Sequence, residues 1–376
     1  MRYVKPHYYD TFKCIADKCP DTCCAGWQIV IDEESLEKYA GSKDEFSARL
    51  KNSIDWQEGT FLQYDRRCAM LNENNLCDLV TAKGEKWLCR TCDRYPRHVE
   101  EFDGVREMSL SLSCPVVAEM ILNCEEKVQY RVQEDDGPDP LEDEFEDFDF
   151  LLFTQLEDAR NVLFNIAQSR NLPIDKRLAS VMGLAKELQD CLDEGRIYDM
   201  QDAITTYGEN LPEPELLGGK QRYEELKEHF KIFYELERLR DEWSEVVKAA
   251  EENLYGCGYK KYSDTLQAFY EDYVEKTEVA KWENFLEQIL MFFLYTYFCG
   301  AVYDECIYSK AALSVFSVCY VREFIMSEWL KNGKKLTKES CVSMAYRYAR
   351  EVEHSDINLN LMEEWFMKNF DENKEK

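Results

Sequence analysis

Ten of the sixteen cysteines fall within the first 124 residues, and their spacing constrains the fold more than any other feature of the chain. Cys14, Cys19, Cys23 and Cys24 read C-x4-C-x3-CC. Cys68, Cys77, Cys89 and Cys92 read C-x8-C-x11-C-x2-C, and Cys114 precedes Pro115. With 376 residues the chain can bury a hydrophobic core and needs no staples to fold. Thiolates are soft metal ligands, and two of them two residues apart reach one metal from a single turn. The pattern therefore predicts an inorganic centre in an irregular, cysteine-rich region. Spacing alone leaves iron–sulfur and zinc both open, because each accepts four cysteines.

The candidate ligands are Cys19, Cys23, Cys24, Cys68, Cys77, Cys89, Cys92 and Cys114, with Cys14 the weakest of the nine. A four-iron cluster takes four thiolates, so not all of them can serve one cluster. The opening Met1-Arg2-Tyr3-Val4-Lys5-Pro6 has no apolar signal region, which predicts a cytoplasmic location. A reducing compartment disfavours a disulfide framework. The net charge of −29 argues against a nucleic-acid partner and against docking on anionic membranes. It remains compatible with a basic or lysine-bearing protein partner, drawn in a salt-dependent way. Nothing in the sequence sets the oligomeric state.

The expected fold is mainly α. A cysteine-rich metal-cluster region with a short hairpin (1–133) leads into an acidic linker or helix start (134–150), then a helical body (151–376). The stretch Glu134 to Asp149 holds ten acids, two prolines, one glycine and no base, which marks a solvated connection. Helix-period apolar positions recur in Leu151–Ser169, Lys176–Leu192, Tyr223–Leu254, Trp282–Tyr303, Ala311–Leu330, Lys338–Val352 and Leu359–Phe370. The apolar run Ile289–Tyr303 is short for a bilayer span and reads as a buried helix.

Within the first region, Trp27–Ile31 is a strand candidate. Asp32 is placed to cap a helix with Glu33 and Glu34 in its first turn and Gly41 past its end. A turn at Asn72–Asn75 would set Met70 opposite Cys77, with Cys68 and Cys77 diagonal on one face, about 7–8 Å apart. Cys114 falls at the start of a predicted helix, Pro115–Leu122, where the dipole favours a thiolate. Cys124, at its far end, reads as structural. Cys191, Cys257, Cys299, Cys306, Cys319 and Cys341 read as small core hydrophobes, with Cys299 and Cys306 able to share a helix face. The four histidines form no triad or metal signature, and Gly256-Cys257-Gly258 is no dinucleotide fingerprint.

Several local stretches resemble the flagellin lysine-N-methylase family. They are Lys5-Pro6-His7-Tyr8-Tyr9, Phe12-Lys13-Cys14, Cys19-Pro20-Asp21-Thr22-Cys23-Cys24, Gly26-Trp27 and Ile31-Asp32. Leu88-Cys89-x2-Cys92-x2-Tyr95-Pro96-Arg97 and Ser109 to Pro115 belong with them. The likeness covers roughly the first third of the chain. The cysteine pattern also resembles broader cysteine-cluster families described as zinc- or iron-chelating.

The resemblance implies methyl transfer from S-adenosylmethionine to lysine side chains of flagellin, with an iron–sulfur cluster (a 4Fe-4S centre, zinc being the alternative) in the cysteine region. The chain departs from radical methyl-donor enzymes, since Gly26 stands where a C-x3-C-x2-C run from Cys19 would need its third cysteine. It also lacks the glycine-rich loop of Rossmann-type methyltransferases. Methylation needs a neutral amine aligned with the sulfonium methyl. Tyr95 and Arg97, just past the last ligand pair, are the candidate substrate- or cofactor-side residues, and no catalytic base is assigned. The alternative function is a non-enzymatic or redox protein built on the same metal centre.

Overall fold

The computed structural model describes residues 1–137, 145 and 147–374. Six of the seven predicted helical segments fold as helices within a few residues of their expected ends: Phe150–Ala167, Ile174–Asp193, Val279–Tyr297, Ile307–Lys331, Lys338–Glu353 and Asp356–Lys374. Ile307–Lys331 is the axis of the body, with nearly every side chain from Ile307 to Trp329 buried. It packs against Val279–Tyr297, Ile174–Asp193 and Asp356–Lys374. Its buried serines cost little, because Ser314 and Ser317 return their hydroxyls to the carbonyls of Lys310 and Leu313 at 3.0 and 2.6 Å.

The apolar run beginning at Ile289 lies at the centre, as a helix apolar all round must. Val279–Asp304 is long and apolar enough to cross a membrane, yet 89% of its most apolar window is covered by the rest of the protein. Its last residue in the predicted run, Tyr303, departs from this and stands 54% exposed.

Tyr223–Leu254 is not one helix. Gly219–His229 passes into a 3-10 turn, Phe230–Tyr234, and a new helix starts only at Asp241. Helices from further along the chain capture the backbone of the break. Asn358 Oδ1 accepts from the N–H of Glu237 at 2.7 Å, and Glu351 Oε2 accepts from that of Leu239 at 3.0 Å. Two further helices carry no strong signal in the sequence, Met200–Glu209 and Gly258–Phe269. Cys299 and Cys306 do not share a helix, since Glu305 turns left-handed (φ 59°) between them and Cys306 caps the next helix. Cys257 is exposed rather than packed.

A four-stranded sheet adds to the expected hairpin in the first region, with strands in the order Arg97–Phe102, Val105–Leu110, Arg2–Pro6, Tyr130–Glu134. Arg97–Phe102 and Val105–Leu110 form a hairpin turning at Gly104 (φ 65°), where glycine meets the left-handed backbone without strain. Arg2–Pro6 runs parallel to Val105–Leu110 and antiparallel to Tyr130–Glu134. The sheet docks on the helices through Tyr295, whose hydroxyl donates to the carbonyls of Val4 (2.9 Å) and Met108 (3.2 Å). A buried bidentate pair, Arg160 with Glu107, locks the same face. One hydrophobic core therefore runs from Val4, Leu110 and Val117 into the helical body.

At the junction, Asp149 caps Phe150–Ala167 by accepting from Leu152 N at 2.9 Å. Most of the acidic stretch between, residues 138–144 and 146, lies outside the described residues.

Candidate metal centre

A second, smaller core of Ile29, Ile31, Tyr39, Leu50, Ile54, Phe61, Met70 and Leu79 encloses Cys68 and Cys89, and Cys24, Cys77 and Cys92 pack against it. Asp32 caps Glu33–Ala40 as predicted, accepting from Ser35 N, and Gly41 closes the helix. Its second oxygen accepts from Arg90 N at 2.7 Å. One carboxylate thus fixes the start of this helix and the start of Arg90–Arg94, the turn carrying Cys89 and Cys92. Trp27–Ile31 stays extended with isolated pairing, Ile31 N to Gly59 O at 2.8 Å and Phe61 N to Ile29 O at 3.1 Å.

The turn after Cys68 is one residue longer than the sequence suggests. Leu71, not Met70, pairs with Cys77. Asn72 Oδ1 accepts from the N–H groups of Asn74 and Leu76 at 2.9 and 3.1 Å, and Asn75 adopts φ 57°. That side-chain scaffold stabilises a wider loop, so the predicted diagonal arrangement of Cys68 and Cys77 is replaced. Cys68 instead lies in a short strand against Gln63–Tyr64, with its N–H on Cys24 O at 2.9 Å.

Eight cysteines, Cys14, Cys19, Cys23, Cys24, Cys68, Cys77, Cys92 and Cys114, line one cavity of about 420 Å³. Cys89 is not on this wall: it is fully buried in the small core, its thiol directed at Val30 O at 3.9 Å. All sixteen cysteines are free thiols. Cys77, Cys89 and Cys114 each stand at the start of a helix, yet burial outweighs that position and pushes the thiols of Cys77 and Cys114 up. The neighbouring Cys23 thiol holds the Cys24 thiol below its usual range despite its burial. The soft, hydrogen-bonded donor set fits a sulfur-coordinated metal centre in its chemistry. Among the described residues, no three His, Cys, Asp or Glu side chains yet converge closely enough to hold a metal ion; the thiols ring the cavity instead.

Tyr95 and Arg97 both line this cavity. Arg97 is exposed and lies over the ring of Phe12 at 5.3 Å. Tyr95 faces a polar chain absent from the sequence reading. Its hydroxyl is 3.0 Å from Ser113 Oγ, which is 2.7 Å from His354 Nε2. Trp27 packs at a tilt beside both rings, 5.8 Å from Tyr95 and 5.0 Å from His354. Burial pushes the Tyr95 phenol well above its usual range and, with Arg350 and Arg240 nearby, lowers the imidazole of His354 to about 3. Both are neutral at ordinary pH.

Two arginines of the helical body clamp the cysteine loop. Arg350 donates to Ser113 O (2.9 Å) and Asp21 O (2.8 Å), and pairs with the Asp21 carboxylate at 2.6 Å. Arg240 reaches the same carboxylate at 3.0 Å and Ala25 O at 3.2 Å. Gly26 is required there: its φ is +91°, and a Cβ would sit 2.5 Å from Arg240 Nε. Arg240, Arg350 and His354 lie more than 200 residues downstream of Asp21, and no local spacing marks them.

Fold and site together define a class, a helical protein whose body braces a thiol-walled cavity built from its opening region. Residues 160–375 match the profile of the FliB lysine N-methylase C-terminal domain, and the chain belongs to that family. It is also 33% identical over 129 residues to the flagellar biosynthetic protein FliU of Salmonella muenchen, covering 32% of this chain and 76% of that one. The same identity over 129 residues relates it to the lysine-N-methylases of Salmonella typhimurium and Salmonella choleraesuis, covering 32% of this chain and 32% of each relative. The matched part thus spans about a third of those two enzymes. No solved structure matches the chain.

Proposed function

We propose that the protein transfers methyl groups from S-adenosylmethionine to lysine side chains of flagellin, with an iron–sulfur centre held by the cysteine-lined cavity. Family membership over residues 160–375 carries the methyl-transfer reading. The flagellar name of one relative and the lysine-methylase names of two others support flagellin as the substrate. Eight thiols spread around about 420 Å³ favour a polynuclear centre, whose corners are held apart, over one tetrahedral zinc.

A lysine amine attacks a methyl group only when neutral and aligned. A site walled by apolar side chains favours the neutral amine. Tyr95, protonated and held by Ser113, offers an oxygen that can accept one amine N–H and so turn the nitrogen lone pair outward. His354, kept neutral, anchors Ser113 in that chain. Bound in the cavity, the cluster would supply redox-active iron beside these groups.

Incubating anaerobically purified protein with labelled S-adenosylmethionine and flagellin tests the proposal. Label on flagellin lysines supports it. A metal-loaded protein that leaves flagellin unlabelled would point to the non-enzymatic or redox reading.

A further inference from the structure

We infer that the nine opening cysteines form two metal centres that part at the Cys23–Cys24 doublet. Cys14, Cys19, Cys23 and Cys114 hold one. Four of Cys24, Cys68, Cys77, Cys89 and Cys92 hold the other. The inference rests on the proposal that these thiols bind metal, and it adds a second site.

The division follows the packing. The five cysteines of the second set, and none of the first, belong to the small core. Cys114 belongs to the main core with Phe12 and Val117. Backbone bonds tie the second set into one scaffold: Cys68 N to Cys24 O (2.9 Å), Leu71 N to Cys68 O (2.9 Å), and the bridge from Leu71 to Cys77. Val30 O accepts from Thr91 Oγ1 at 2.8 Å, which brings the turn of Cys89 and Cys92 to the same scaffold.

The first set has its own brace. Cys14 and Cys19 flank a single 3-10 turn, with Cys19 N on Ala16 O at 3.0 Å and Cys14 Sγ accepting from Ala16 N at 3.4 Å. Cys19 Sγ donates to Asp21 O at 3.2 Å. Arg350 then joins the Asp21 carbonyl to the Ser113 carbonyl, bringing the turn of Cys19 against the helix start of Cys114.

The Cys23–Cys24 doublet stands where the two scaffolds meet: Cys24 O is bonded to Cys68 N on one side, and Asp21, two residues before Cys23, is held with Ser113 by Arg350 on the other. A single cluster uses about four thiolates, and this wall offers two such sets.

The test uses full-length protein purified anaerobically and reconstituted with iron and sulfide. Iron, zinc and acid-labile sulfide are counted for the wild type, Cys19→Ser/Cys114→Ser and Cys68→Ser/Cys89→Ser. Two centres predict that each double variant loses one share of the metal and keeps the other, the two shares adding to the wild-type content. Loss of all metal from either variant with its helical circular dichroism intact means one shared centre and overturns the inference. So does full retention in Cys19→Ser/Cys114→Ser. Should a variant fail to fold, alkylation mapping of the native holoprotein against the metal-stripped protein decides: metal-dependent protection of more than about four cysteines, spread over both sets, supports two centres, and protection of about four or fewer overturns them. A wild type that takes up no metal would instead defeat the underlying metal proposal.

Discussion

Ser113 Oγ lies 2.7 Å from His354 Nε2, although 241 residues separate them. The contact joins the last helical turn of Lys338–Glu353 to the loop before Cys114, and through Tyr95 it reaches the cysteine cavity. The helical body is therefore part of the site as well as its support. Ser113→Ala should slow methyl transfer by about tenfold, the worth of one strong hydrogen bond, with metal content unchanged. Rates with labelled S-adenosylmethionine beside iron analysis check this.

Gly26→Ala would place a methyl against Arg240 at a φ of +91°. It should destabilise the protein by at least about 1 kcal/mol and loosen the hold of Arg240 on Asp21. Urea denaturation measures the first effect, and metal retention after mild chelation the second.

The sheet's attachment rests on Arg160 and Glu107, both nearly fully buried. Glu107→Gln leaves the guanidinium without its charge partner and should cost about 3–5 kcal/mol. Arg160→Met with Glu107→Leu should recover much of that loss in the same urea titration, because no unpaired charge then remains.

Glu323 is sealed between Tyr255 and Tyr262, whose hydroxyls lie 3.1 and 2.9 Å from its oxygens. Burial raises its carboxyl to about 7, although Arg222 opposes the shift. A raised acid favours the fold fully below its unfolded value near 4.5 and loses that advantage as pH rises through 7. Glu323→Gln stays neutral, so its melting temperature relative to wild type should climb between pH 5 and pH 8. A constant difference across that range would contradict the assignment.

Much of this was legible in the sequence. Asp32, Glu33, Glu34 and Gly41 spelled out one helix, and Pro115 the start of another, because caps are local. The cysteine spacing marked the cavity's wall. The sheet was only partly legible: Asp103-Gly104 signals its hairpin, but the pairing of Arg2–Pro6 with Val105–Leu110 depends on contacts across 100 residues. The break at Glu235–Arg240 was hidden for the same reason, since Asn358 and Glu351 satisfy it from afar. Cys257 shows the opposite failure, a helix-like context around a residue that stays exposed.

The central claim, methyl transfer by a metal-bearing lysine methylase, is tested most directly by mass spectrometry of flagellin. The substrate would be incubated with S-adenosylmethionine and either wild-type protein or Cys89→Ser/Cys92→Ser, each purified anaerobically. The account predicts lysine mass increments of one or more methyl groups with the coloured wild type and none with the bleached variant. Unmodified flagellin with fully metal-loaded wild type, or equal methylation by a metal-free folded variant, would contradict it.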